Sequence, residues 1–164
     1  MDRIFLIGFM GSGKSTIGHV LEQLYSVDFA DTDHYIEEKQ QRKISDIFAK
    51  EGEDYFRDLE SNTIQSIEAK IISTGGGIIE RQENISIMKG RGKVVYLSAS
   101  FEEISRRLEG DASRPLWKQD RNARIALFER RVPIYEAAAD YIVHTEGKTA
   151  EQIANLINDY ISGV

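Results

Sequence analysis

The sequence predicts a three-layer α/β/α fold around a central five-stranded parallel sheet. Three observations carry this reading. Short apolar runs alternate with helical patterns along nearly the whole chain; the runs are continuous rather than alternating; and 164 residues is the size of one domain. A continuous run such as Ile4-Phe5-Leu6-Ile7 suits a strand that helices cover on both faces.

The elements follow in order. After that first strand, Ile17, Val20, Leu21 and Leu24 recur at the spacing of one helix face. Val27-Asp28-Phe29-Ala30 reads as a second strand, Ile71-Ile72-Ser73 as a third, Val94-Val95-Tyr96-Leu97 as a fourth and Tyr141-Ile142-Val143 as a fifth. Phe101, Ile104 and Leu108 mark a helix after the fourth strand, and Ile153, Leu156, Ile157, Tyr160 and Ile161 mark a closing one. Residues 33–69 hold two or three helical segments with no strand between them, so they are expected to form a small helical lobe within a single domain spanning 1–164. Residues 109–124 carry Gly110, Asp111, Ser113, Pro115 and many charges with little periodicity, the pattern of a mobile excursion. Arg130-Arg131-Val132-Pro133-Ile134-Tyr135 is expected to end a helix, because proline disfavours helical geometry at the residue before it.

Composition removes several function classes. Lys plus Arg is 21 and Asp plus Glu is 27, a net charge of −6, which argues against a nucleic-acid-coating surface. With no cysteine there is no disulfide framework, thiolate metal site or cysteine nucleophile. No apolar run approaches the length of a membrane span, and the Ile4–Ile7 run is too short for a signal peptide. A cytoplasmic protein is expected, and a monomer, because no helix shows a surplus apolar face.

Gly8-Phe9-Met10-Gly11-Ser12-Gly13-Lys14-Ser15 matches G-x-x-x-x-G-K-S/T at every fixed position. Glycines let successive backbone N–H groups turn toward phosphate oxygens; Lys14 suits the β- and γ-phosphates and the Ser15 hydroxyl suits Mg²⁺. The strand before and the amphipathic helix after are the setting this loop needs, so the chain is expected to bind a nucleotide.

The acceptor side is less direct. No N-K-x-D or D-x-x-G of a GTPase switch occurs. Asp31 and Asp33, two apart near a strand end, would share one side of an extended segment; one could hold a metal-bound water and the other an acceptor hydroxyl. The plainer alternative is a solvated turn with Asp33 as a helix N-cap. Arg57 and Glu60 lie one helical turn apart, which is either a surface ion pair or a guanidinium held ready for an anion. Gly75-Gly76-Gly77 follows a strand, where bare backbone approaches a ligand closely.

Taken in order, Gly8–Thr16, Asp31-Thr32-Asp33, Phe56-Arg57 with Glu60, Gly75-Gly76-Gly77, Arg114-Pro115-Leu116, and Arg131 with Pro133 and Tyr135 resemble the shikimate kinase family. The resemblance implies a P-loop kinase architecture with a helical substrate-binding lobe at 33–69 and a mobile lid at 109–124. It implies transfer of the γ-phosphate of ATP to the 3-hydroxyl of shikimate, in aromatic amino-acid biosynthesis, with ATP/ADP and shikimate as the partners. It also implies roles. Asp33 would bind the acceptor hydroxyl and act as its base, with Lys14 and Arg114 completing the catalytic set. Arg57 and Arg131 would grip the shikimate carboxylate beside Gly75, Gly76 and Gly77. Gly11, Ser12, Gly13, Lys14, Ser15, Thr16, Arg107, Arg114 and Lys148 would contact ATP. Ser15 would ligate Mg²⁺, and Asp31 would reach it through water. A related small-molecule kinase, such as a gluconate kinase, and a non-catalytic nucleotide-binding module are the alternatives.

Overall fold

The computed structural model describes residues 1–109 and 120–163. Five parallel strands, β1 (Arg3–Ile7), β2 (Phe29–Asp31), β3 (Ile71–Ser73), β4 (Gly92–Ser98) and β5 (Tyr141–His144), form one sheet in the order β2-β3-β1-β4-β5. Eight helices are described: α1 (Lys14–Tyr25), α2 (Thr32–Gln40), α3 (Ile44–Glu51), α4 (Glu53–Ser66), α5 (Gln82–Arg91), α6 (Phe101–Glu109), α7 (Arg121–Ala138) and α8 (Ala150–Ser162). A 3₁₀ turn covers Ile78–Glu80.

Strand β1 alternates between two cores. Ile4 and Leu6 join Val95, Leu97 and Val143 against Ile17 and Leu21 of α1 and Ile153 and Ile157 of α8. Phe5 and Ile7 face the other way, with Ile72, Val94 and Tyr96, against Ile64 of α4, Met88 of α5, Ile104 of α6 and Tyr135 of α7. These two cores make the three layers that the continuous apolar runs imply. Ile36, Ile47 and Phe56 form a third, separate cluster holding α2, α3 and α4 together.

Register fixes where chemistry can happen. Ser73 of β3 pairs with Leu6 of β1 on one side and Asp31 of β2 on the other. The glycine-rich loop after β1, the acidic turn after β2 and the triple glycine after β3 therefore leave from adjacent strand ends. Chain order also reverses here, since β1 lies between β3 and β4, and the carboxyl-end crevice at such a reversal is where α/β sheets bind ligands.

Three expectations change. The second strand is shifted to Phe29–Asp31, and α2 begins at once at Thr32, so Asp31 and Asp33 are not two residues of one extended segment. The N-cap is Asp31, whose Oδ1 accepts from the Asp33 and His34 amides, and not Asp33. Helix α7 does not end at Pro133 but runs on to Ala138. Pro133 lies on the exposed side, where water can take the carbonyl its missing N–H leaves, while Tyr135 and Ala138 beyond it are buried. The ends of the expected excursion are helical, at Glu109 and from Arg121 onward; Arg114, Pro115, Leu116 and Trp117 lie outside the described residues. No helix among the described residues is long and apolar enough to cross a membrane.

Candidate active site

Gly13 ends the glycine-rich loop at φ 100° and serves as the N-cap of α1 with no side chain of its own. That left-handed conformation favours glycine, and the missing cap leaves the first amides of α1 to a ligand. Lys14 Nζ lies over the loop, donating to the Gly8 carbonyl at 2.5 Å and the Phe9 carbonyl at 3.2 Å. A cleft of about 360 Å³ opens beside it, lined by Gly11, Gly13, Lys14, Ser15, Thr16, Asp31, Asp33, Gly75, Gly76 and Arg107 among others. Phosphate loop, acidic turn and triple glycine thus share one cavity, as their strand ends require.

The acidic turn divides its labour. Asp31 caps α2 with Oδ1 and presents Oδ2 to the Ser15 hydroxyl at 3.3 Å. Asp33, two residues on, has a buried Oδ1 without a hydrogen-bond partner. Burial pushes its carboxyl up to about 6, helped by the negative Asp31 and opposed by Lys14. A buried, unsatisfied carboxylate oxygen in a ligand-sized cleft is poised to accept a proton or a hydroxyl.

Next to it lies the guanidinium pair. Arg57 and Glu60 of α4 are both buried, and Arg57 Nη1 donates to Glu60 Oε1 at 2.6 Å. Exposed Glu53, one turn earlier, takes Arg57 Nε and Nη2 at 3.2 Å each. Burial raises Glu60 to about 7, against the pull of Arg57. Arg131, buried on α7, donates from Nε to Glu80 at 3.1 Å.

The three glycines each admit a different neighbour. A Cβ on Gly75 would meet Asp33 Oδ1 at 2.7 Å, on Gly76 Arg131 Nη1 at 3.3 Å, and on Gly77 Arg57 Nη1 at 2.4 Å. Side chains from α2, α7 and α4 therefore converge on one loop because it carries none. The Gly75 amide is also tied to the buried Thr32 hydroxyl at 3.0 Å, locking this loop to the start of α2.

On the other flank of the phosphate loop, Arg107 donates to the Gly11 carbonyl and the Thr145 hydroxyl, both at 3.1 Å. Lys148 is not among the residues lining the cleft. It lines a separate depression with Glu146 and Gln152, and its ammonium donates to the His144 carbonyl at 2.8 Å. Ser12 is buried within the loop, its hydroxyl without a partner. Among the described residues no cluster of three His, Asp or Glu side chains forms a metal cage.

Thr32 and Tyr135 stand in the sequence only as members of motifs, with no role of their own, and neither Glu53 nor Glu80 is singled out there. Glu53 was within reach of sequence reasoning, since it precedes Arg57 by four residues on one helix face. Glu80 is 51 residues from Arg131 and gave no local signal.

A family model for shikimate kinase matches residues 10–162. The chain belongs to the shikimate kinase family. The shikimate kinase of Bacillus mycoides (strain KBAB4) is 47% identical over 165 residues, covering 99% of each chain. Among solved structures, shikimate kinase from Acinetobacter baumannii in complex with shikimate has a TM-score of 0.89 at 36% identity, covering 99% of this chain and 94% of that one. The Bacteroides thetaiotaomicron shikimate kinase has a TM-score of 0.90 at 31% identity, covering 98% of both. Shikimate kinases are ATP-dependent kinases, and their architecture is the five-stranded parallel sheet described above. Neither the gluconate kinase nor the non-catalytic alternative gains support from these matches.

Proposed function

We propose that this chain transfers the γ-phosphoryl group of ATP to the 3-hydroxyl of shikimate, giving shikimate 3-phosphate and ADP. The observation that carries the reading is the meeting of the phosphate loop and a buried unpartnered Asp33 oxygen in one cleft, with two buried arginines packed against the glycine loop beside it, Arg131 at Gly76 and Arg57 at Gly77.

In this reading the amides of Gly11, Ser12, Gly13, Lys14, Ser15 and Thr16 hold the phosphates and Arg107 bounds the nucleotide side, while Lys148, outside the cleft lining, would have to leave the His144 carbonyl to reach the nucleotide. Arg57 and Arg131 grip the acceptor carboxylate. Glu53 and Glu60 take three of the five N–H donors of Arg57, which leaves donors for a ligand. Gly75, Gly76 and Gly77 supply bare backbone beside the acceptor hydroxyls. Asp33 orients the hydroxyl and takes its proton as the new O–P bond forms and the bond to the ADP leaving oxygen breaks. Lys14 and Arg114 supply positive charge to the transferred group. The lobe at 33–69 is the acceptor-binding part, and the segment at 109–124 is a lid that excludes water.

The Ser15 hydroxyl and Asp31 Oδ2 fit Mg²⁺, which takes oxygen ligands and keeps waters and substrate phosphates for the rest. Bound there, the ion would neutralise phosphate charge; Ser15 would hold it directly and Asp31 through water. A monomer suits a surface whose exposed large apolar side chains among the described residues are only Met1, Leu24 and Phe48.

The test is ADP release from MgATP in the presence of shikimate, of gluconate or of neither. Release that depends on shikimate is expected. Release with gluconate, or none above background with either acid, contradicts the reading.

A further inference from the structure

Tyr135 is the largest fully buried side chain of the chain's described core, with no exposed surface. Its ring stacks on Tyr96, centroids 5.0 Å apart, and for that packing a phenylalanine would serve equally well. The hydroxyl is a separate matter, because a buried hydroxyl is costly unless it is bonded. It donates to the Gly76 carbonyl at 2.6 Å, across 59 residues of sequence. The Arg131 guanidinium, one turn earlier on α7, lies beside the same Gly76. A Cβ on Gly76 would lie 3.3 Å from Arg131 Nη1 and 3.7 Å from Tyr135 Oη, so loop, guanidinium and phenol form one cluster.

The geometry points to Tyr135 as a positioning residue for the acceptor: its hydroxyl, donating to the Gly76 carbonyl, fixes the peptide of the middle glycine in one orientation beside the Arg131 guanidinium. This rests on the reading of Arg131 and Gly76 as acceptor-binding groups. The two belong to different elements, the loop after β3 and the middle of α7; Glu80, just beyond the loop, accepts from Arg131 and ties the elements together, but it leaves the Gly76 peptide itself unheld. A peptide plane is free to rotate at glycine, which has no side chain to anchor it. Holding its carbonyl also fixes where the rest of the peptide points. The receptor then meets the acceptor with the ordering cost already met by the fold, which appears as acceptor affinity and not as nucleotide affinity. Tyr135 touches neither ligand in this scheme and acts only through Gly76.

The experiment compares wild type, Tyr135→Phe, Tyr96→Phe and Arg131→Lys, measuring the KM for shikimate, the KM for ATP, kcat and thermal stability. Tyr135→Phe keeps the ring and its volume, so the fold is expected intact, and circular dichroism checks this. Its KM for shikimate is expected to rise about three- to tenfold, the loss of one net hydrogen bond. The KM for ATP and kcat should stay within about twofold. Tyr96→Phe removes a hydroxyl from the other ring of the same stack, and should affect stability without that split. Arg131→Lys should raise the KM for shikimate at least as much as Tyr135→Phe. A fall in stability with both KM values unmoved makes Tyr135 merely structural and overturns the proposal, as does an equal rise in both KM values. If Arg131→Lys raises the shikimate KM while Tyr135→Phe does not, positioning fails and the acceptor site stands. If Arg131→Lys leaves it unchanged, the acceptor site itself falls, and the proposal with it.

Discussion

Replacing Gly77 by alanine tests the acceptor pocket without removing any functional group. Gly77 has φ −92° and ψ 10°, which alanine adopts without strain, so the backbone should accept the change. The added methyl would sit 2.4 Å from Arg57 Nη1, 2.6 Å from Nη2 and 2.7 Å from Cζ. The guanidinium must retreat by about 1 Å to regain ordinary contact. It cannot do so freely, because Glu60 holds it at 2.6 Å on one side and Glu53 at 3.2 Å on another. A ligand carboxylate that depends on that guanidinium loses a charge-assisted contact of about 1.5–3 kcal/mol, roughly ten- to a hundredfold in shikimate affinity. Gly75→Ala is the contrasting case: its methyl would press on Asp33 Oδ1 at 2.7 Å, so kcat should suffer more than shikimate affinity. Gly76→Ala, with 3.3 Å to its nearest neighbour, should be the mildest of the three. Calorimetric titration with shikimate and with a non-hydrolysable ATP analogue, beside steady-state kinetics, reads all three. If folded Gly77→Ala binds shikimate within twofold of wild type, Arg57 is not the carboxylate grip; equal weakening of both ligands would assign this loop to the nucleotide.

Four further outcomes are expected. Asp33 must be ionised to accept a proton, and its carboxyl is raised to about 6, so kcat/KM for shikimate should fall about tenfold per pH unit below that value; a profile flat to pH 5 refutes the base role. The same shift has a stability sign: the folded pKa lies above the unfolded one, so the native state binds the extra proton between about pH 4 and pH 6, and stability falls as pH rises through that window. Urea denaturation at both ends of the window should show this fall, diminished in Asp33→Asn. Arg57→Lys keeps charge but loses the fork, and should weaken shikimate binding about ten- to a hundredfold with little change for ATP; parallel losses would make Arg57 structural. Trp117, the only tryptophan, falls within the lid assigned from sequence, so its emission should shift when MgADP and shikimate are both present, and less so in Arg114→Ala; an identical shift in both proteins removes Arg114 from closure.

What was legible in the sequence is what short-range chemistry writes into it. Ile4–Ile7 and Val94–Leu97 declare buried strands because a parallel strand needs apolar residues on both faces. Gly8–Ser15 declares its loop because phosphate binding demands fixed residue types at fixed spacing. The Arg57–Glu60 pair is visible as a helical i, i+3 relation, though its burial is not. Boundaries decided by competition were misread. Thr32 starts a helix as soon as Asp31 ends a strand, so the cap moved by two residues. Pro133 did not stop α7, because burial of Tyr135 and Ala138 outweighs one missing backbone hydrogen bond. Helix α5 shows no clean apolar stripe, since its buried Asn84 serves a polar purpose, donating to the Ile78 carbonyl and accepting from the Ser61 hydroxyl. Contacts such as Glu80 with Arg131 and Tyr135 with Gly76 join distant segments, and only the assembled sheet brings them together.

The most direct test of Asp33 as the group at the junction of nucleotide and acceptor is a single-turnover measurement on Asp33→Asn with MgATP and shikimate, paired with its affinity for nucleotide. The substitution preserves size and removes the charge that would take the hydroxyl proton. Phosphoryl transfer is expected to slow by about a hundredfold or more, with nucleotide affinity within twofold of wild type. Transfer at close to the wild-type rate, or a loss that tracks nucleotide binding, would contradict it.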